Sequence, residues 1–343
     1  MASAIAAGNA VIGKPSELAP ATSEAVTKLI GRFMDPDAVA IVEGAAPETQ
    51  ALLAERFDHI FYTGGANVAR IVMEAAAKHL TPVTLELGGK SPVIIGEDYP
   101  LARAAQRIVW GKLFNSGQIC IAPDYVMVPE GKEREFAAYA QAAARKLYPK
   151  LAGNDDYTAV INDKHYQRLT DTIADARAKG AVIETVADPA ESRPERKLPF
   201  TVVLDPDDDM RVLQEEIFGP LLPVKGYRSV DDAISYVNEH PRPLALYVFS
   251  NEQATQDKVL EQTTSGGVSI NDTLMHYMQD DMPFGGVGPS GMGVYHTEEG
   301  FNTFSHLKPV FRQRGIGSFT GGQLLYPPYG PVTRVLLKLM EKI

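Results

Sequence analysis

The chain has 343 residues, 45% hydrophobic and 22% charged, which is ordinary for a globular protein and sets about two domains as the expectation. A formal net charge of −10, from 33 basic and 43 acidic residues, excludes the basic surface that non-specific nucleic-acid binding requires. One cysteine excludes an internal disulfide, so no oxidising compartment is needed and the cytoplasm is the expected location.

Residues 1–7 read as the end of a helix, since no basic segment precedes them and Gly8-Asn9 interrupts them. From Val11 onward, short apolar runs at 11–12, 38–42, 59–63, 82–87 and 92–95 alternate with helical stretches at 22–34, 48–56 and 66–80. Strand–helix alternation at this spacing predicts βαβ units and a parallel sheet. Residues 1–89 therefore read as a nucleotide-binding half. Longer helices at 131–148 and 163–179, the second stopped by Gly180, mark a second α/β domain over 90–306. The glycine-dense stretch 285–293 lacks the strand-then-helix context of a phosphate loop and reads as a tight turn.

Residues 307–343 form a tail, in which Val332, Val335, Leu336, Leu339 and Met340 have helical spacing. That segment is too short and too charged to span a bilayer, so packing at a subunit interface is expected, with no membrane span.

Two residues carry the strongest chemical signals. Cys120 lies between Gly117 and Pro123, and a lone cysteine is either a small core residue or a reactive thiol. Glu86 sits between two leucines at the end of an apolar run and before two glycines. There it is either an edge residue or a carboxylate aimed into a cleft, where lost hydration raises its pKa toward the range of a general base. The pair Glu215-Glu216 reads locally as a turn, and Trp110, Asn271 and His276 as isolated structural residues. No cluster has metal-ligand spacing, so no metal is expected.

Taken together, the motifs KPSE (14–17), FYTGG (61–65), LELGGK (85–90), GQIC (117–120), EIFGP (216–220), IN (270–271) and PFGGVG (283–288) resemble the ordered motifs of the NAD(P)-dependent aldehyde dehydrogenase superfamily. NDTLMH (271–276), KHLTPV (78–83) and FNTFSH (301–306) look most like its class 3 branch of fatty, aromatic and coniferyl aldehyde dehydrogenases. The resemblance implies a Rossmann-like dinucleotide-binding domain over 1–89, incomplete at its N-terminus, followed by an α/β catalytic domain over 90–306.

It also implies roles. Cys120 would attack the aldehyde as a thiolate, giving a thiohemiacetal that passes hydride to the nicotinamide and a thioester that water hydrolyses. Glu86 would be the general base for both half-reactions. Lys14 and Glu17 would hold the adenine ribose and Glu216 the nicotinamide ribose, with Phe218 and Leu87 beside the cofactor. Gly64 and Gly65 would open the helix facing the pyrophosphate. Ala69 stands where the family usually has a second glycine. Glu17 would favour NAD, with NADP also possible. The aldehyde pocket would lie around Trp110, Asn271 and His276, and the protein would be a homodimer. The family's oxyanion hole pairs the nucleophile's own N–H with an Asn upstream of the KPSE motif, which here would precede Met1, so the chain is expected to be N-terminally truncated. Two other readings stay open: a catalytically impaired subunit that associates or binds nucleotide, and a cysteine esterase.

Overall fold

The computed structural model describes residues 1–314, 322–323 and 326–341, and separates the chain into one unit over 1–305 and another over 306–343. Three sheets form among the described residues. β1 (Val11–Gly13) pairs in parallel with β2 (Val39–Ile41). β3 (Ile60–Thr63) runs parallel to β4 (Val83–Glu86). The large sheet contains β5 (Pro92–Ile95), β6 (Tyr125–Pro129), β7 (Val182–Thr185), β8 (Thr201–Leu204), β9 (Leu221–Tyr227), β10 (Ala245–Phe249) and β11 (Gly267–Ile270). Its order is β11-β10-β5-β6-β9-β8-β7, parallel throughout except where β7 meets β8. β12 (Gly291–Met292) returns antiparallel to β4 and places Gly291 opposite Glu86.

Side-chain alternation explains why the large sheet carries helices on both faces. Val93, Ile95, Val126, Val128, Val202, Leu204, Tyr247 and Phe249 face one apolar layer, built with the helices Leu101–Leu113 and Glu133–Leu147. Ile94, Met127, Val203, Leu246 and Val248, one residue out of step, face the other, which contains Leu169 of the helix Asp163–Ala178. Strands buried on both sides need unbroken apolar sequence, as β5 and β10 have. The helix Asp163–Ala178 begins where the Asn162 side chain accepts from the His165 N–H, and Gly180 at φ +101° follows its end.

In the three-stranded sheet, Leu85 and Leu87 pack against Ala69 and Val72 of the helix Ala66–Ala77. The Ala69 methyl is 2% exposed, so it fills the helix–sheet contact. The stretch 285–293 closes as a tight turn, with bridges between Phe284 and Tyr295 and between Gly288 and Gly291. In the 306–343 unit the helix expected in the tail spans Pro331–Met340; residues 315–321, 324–325 and 342–343 of that tail lie outside the described residues. Among the described residues no helix is long and apolar enough to cross a membrane.

Candidate active site

Strand alternation aims Glu86 away from the helix Ala66–Ala77, because its neighbours Leu85 and Leu87 are the residues packed there. Its backbone carbonyl accepts from the Gly64 N–H at 3.0 Å, and β12 covers its other edge. The side chain is 3% exposed, and neither carboxyl oxygen has a hydrogen-bond partner. Burial pushes its pKa from the ordinary 4.5 up to about 8.

Cys120 arrives on a distorted turn. The helix Leu101–Leu113 runs into a single 3-10 turn, Phe114–Gly117, in which Asn115 (φ +50°), Ser116 (φ +57°) and Gly117 (φ +75°) are all left-handed. Gly117 is required here twice over, because a Cβ would also come within 2.4 Å of the Gly219 carbonyl oxygen. Gln118 then pins the loop, accepting from the Ile161 N–H at 2.9 Å and donating to the Ala159 carbonyl at 3.0 Å. Burial first, then the carboxylates of Glu216 and Glu86, push the Cys120 thiol up to about 11. The N–H groups of Cys120 and Ile121 bond to the sulfur and pull the other way.

Glu216 reaches the same space from 96 residues beyond the thiol. Its carboxylate lies against Gly88, where a Cβ would come within 2.1 Å of Oε1, and accepts from the Gly89 N–H. Burial and then Asp124 push Glu216 up to about 7, while the Gly89 N–H, Lys90 and Arg168 oppose the rise. Phe218 follows at φ +46° and is 37% exposed.

The residues expected to hold a dinucleotide line the β1–β4 region. Lys14 Nζ donates to the carbonyls of Pro15 (2.8 Å) and Gly44 (2.9 Å), 3.5 Å from Glu17 Oε2. Gly64 and Gly65 lead from β3 into the helix Ala66–Ala77, whose N-terminus has no side-chain cap. A Cβ at Gly65 would meet nothing within 4 Å, whereas one at Gly64 would strike the Tyr62 hydroxyl. An uncapped helix start behind an open glycine, with Lys14 and Glu17 nearby in sequence to β1, fits a pyrophosphate and a ribose diol. Leu87 is buried, and its N–H donates to the Ser290 carbonyl.

Among the residues assigned to an aldehyde pocket, Trp110 is half-buried against Phe114. The Asn271 side chain is committed at both ends to the backbone of Ser250, accepting from its N–H at 2.9 Å and donating to its carbonyl at 3.0 Å. His276 stacks on Phe284, shares a hydrogen bond of 2.8 Å with Ser269 Oγ and leaves Nε2 buried without a partner; burial lowers its pKa to about 4.

Sequence reasoning missed Tyr295, which packs against the core beside Cys120 and whose hydroxyl feels Tyr277, Glu86 and Cys120. Its only signal was a position just after the 285–293 turn. Lys112, fully buried under the thiol loop, also went unmarked; burial lowers its pKa to about 8, opposed by Asp124 and Glu216. Among the described residues no group of three or more His, Cys, Asp or Glu could hold a metal.

In this α/β chain a half-buried thiol lies within electrostatic reach of one buried and one half-buried carboxylate. The aldehyde dehydrogenase family model matches residues 1–310, and the chain belongs to that family. It is 49% identical over 342 residues to a probable coniferyl aldehyde dehydrogenase of Caulobacter vibrioides, covering 98% of this chain and 70% of the relative. It is 44% identical to a mouse aldehyde dehydrogenase named dimeric and NADP-preferring, covering 96% of this chain and 71% of that one. Among solved structures, the substrate-bound state of Staphylococcus aureus AldH superposes with a TM-score of 0.90 at 39% identity, over 98% of this chain and 72% of that one. A Mycobacterium tuberculosis aldehyde dehydrogenase complexed with NAD+ superposes with a TM-score of 0.79 at 29% identity, over 89% and 63%. The chain is an aldehyde-oxidising enzyme of the NAD(P) type, related to the coniferyl branch that its motifs resemble.

Proposed function

We propose that Cys120 is the nucleophile and Glu86 the general base of this oxidation. The observation that carries the assignment is the Glu86 carboxyl, which is buried, without a hydrogen-bond partner, and within electrostatic reach of the only cysteine. A buried carboxyl that serves only structure has its oxygens bonded; one left bare and raised to about 8 is suited to exchanging protons near neutral pH.

With the thiol at about 11, Cys120 rests protonated, and its proton passes to the ionised form of Glu86, which grows as pH rises toward about 8, as sulfur bonds to the carbonyl carbon. The N–H groups of Cys120 and Ile121 bond to the sulfur and favour its anionic form as it attacks. Bound NAD(P) supplies the hydride acceptor. Glu86 gives up the thiol's proton to solvent, takes another from water as that water attacks the thioester, and returns it to the departing sulfur as the acid is released. Glu216 and Phe218 would position the nicotinamide end, Lys14 and Glu17 the adenosine ribose, Gly64 and Gly65 the pyrophosphate, and Leu87 the wall between them. Trp110 and His276 would shape the aldehyde side, with Asn271 holding the β10–β11 edge through Ser250. Glu17 supports NAD as the preferred cofactor, because its carboxylate repels a 2′-phosphate. The working unit is a homodimer, a reading supported by the name of the mouse relative.

The test is NADH formation with aromatic and medium-chain aldehydes. Cys120→Ala is expected to abolish it, and Glu86→Gln to lower kcat by roughly 10²–10⁴-fold. Unchanged turnover in Cys120→Ala would overturn the assignment.

A further inference from the structure

Three stretches of chain meet behind the candidate site, and each carries one of its groups: 86–90 with Glu86, 120–124 with Cys120, and 212–219 with Glu216 and Phe218. A set of charged side chains joins them. Lys90 Nζ pairs with Asp124 Oδ1 and also donates to the carbonyls of Val212 (2.8 Å) and Glu215 (3.0 Å). The other carboxylate oxygen of Asp124 accepts from the Ile217 N–H at 2.9 Å. From the opposite side, Arg168 Nη2 donates to the Ile217 carbonyl at 2.7 Å, and Nη1 lies 3.5 Å from that of Glu216. Side-chain exposure is 14% for Lys90 and 4% for Asp124, so this ion pair is shielded from solvent.

The backbone they hold is unusual in shape. Phe218 has φ +46°, and Gly219 places its carbonyl where any side chain at 117 would collide. A left-handed phenylalanine is unfavourable by itself and persists only where its surroundings over-determine it. Charge-assisted bonds to both peptide groups of Ile217 provide that determination.

We propose that Asp124 and Arg168 are positioning residues that clamp the Ile217 peptide from both sides, and that Lys90 ties the clamp to the strand end bearing Glu86. The clamp sets where the Glu216 carboxylate stands relative to Gly88 and to the Cys120 sulfur. Glu216 faces Asp124, Lys90, Lys112 and Arg168, and the thiol faces Glu216, Glu86, Tyr247 and Tyr295. Releasing the clamp therefore moves a negative charge away from the thiol as well as loosening the cofactor end. The second effect rests on the role proposed for Glu216; the first does not.

The experiment compares Asp124→Asn, Arg168→Gln and Arg168→Lys with the parent and with Glu216→Gln. Two readouts are taken: KM and kcat for NAD+, and the pH profile of Cys120 alkylation by iodoacetamide in the absence of cofactor. Asp124→Asn and Arg168→Gln are expected to raise KM for NAD+ about tenfold or more with a smaller change in kcat. They are also expected to move the alkylation profile to lower pH by roughly half a unit or more, as loss of a nearby like charge requires. Arg168→Lys, which keeps one donor, is expected to recover much of both. An alkylation profile identical to the parent in a variant with a cooperative melt would overturn the proposal. If Asp124→Asn leaves Lys90 unpaired and does not fold, the arginine variants decide. Unchanged KM in Glu216→Gln, alongside a shifted profile in the clamp variants, would refute the ribose role of Glu216 and leave the clamp standing.

Discussion

Glu86 makes folding stability depend on pH in a direction opposite to that of an ordinary paired carboxylate. Moving its pKa from 4.5 to about 8 penalises the ionised form in the folded state by about 5 kcal/mol at ~1.4 kcal/mol per tenfold change in proton affinity. Between these two values the folded protein holds a proton on Glu86 that the unfolded chain has released, so the native state binds more protons and stability falls as pH rises. The protonated carboxyl's advantage is fully present below about pH 4.5 and is lost as pH climbs through about 8. Glu86→Gln replaces the group with a neutral isostere that cannot ionise. The variant is therefore expected to match the parent near pH 5 and to exceed it by a few kcal/mol, at most about 5, above pH 8. Urea unfolding at stepped pH measures the difference directly, and Glu216, raised to about 7, contributes equally to both proteins and cancels. A difference that stays constant with pH would refute the burial argument, and with it the physical basis for choosing Glu86 as the base.

Gly88→Ala would place a methyl within 2.1 Å of Glu216 Oε1; displacing that carboxylate is expected to raise KM for NAD+ about tenfold, read from initial rates, with kcat less affected. In Glu17→Gln the ratio of kcat/KM for NAD over NADP is expected to fall about tenfold, because the charge that repels a 2′-phosphate is gone. Phe136, fully buried on the helix Glu133–Leu147 in the apolar layer it shares with the helix Leu101–Leu113, is expected to cost about 3–5 kcal/mol in urea unfolding when changed to Ala, without altering the alkylation profile of Cys120.

Local chemistry made much of the fold legible. The apolar runs at 59–63, 82–87 and 92–95 became β3, β4 and β5 with no end moved by more than one residue, because strand ends are set by neighbours and strand cores by β-branched apolar sequence. Glu86 was visible because an acid between two strand leucines is locally anomalous. Glu216 was not: within its own sequence it is one of two acids before a Gly-Pro stop. Only the order β5-β6-β9 brings its loop to Gly88 and Cys120. The same holds for Lys90, Asp124 and Arg168, whose partners lie 34 to 125 residues away and whose charges look like ordinary surface residues in sequence. Asn271 shows the converse case, since a motif residue proves to have its amide occupied by the backbone of Ser250.

The central claim is that Cys120 carries the substrate and Glu86 releases it. Mixing Glu86→Gln with NAD+ and an aromatic aldehyde, then quenching and mapping the peptides by mass spectrometry, tests both roles together. The account predicts an acyl group on the peptide containing Cys120, formed slowly because the thiol has also lost its base, with about one NADH per chain, and persisting because thioester hydrolysis has lost the same base. Acylation at another residue, or sustained multiple turnover with Cys120 unmodified, would contradict it.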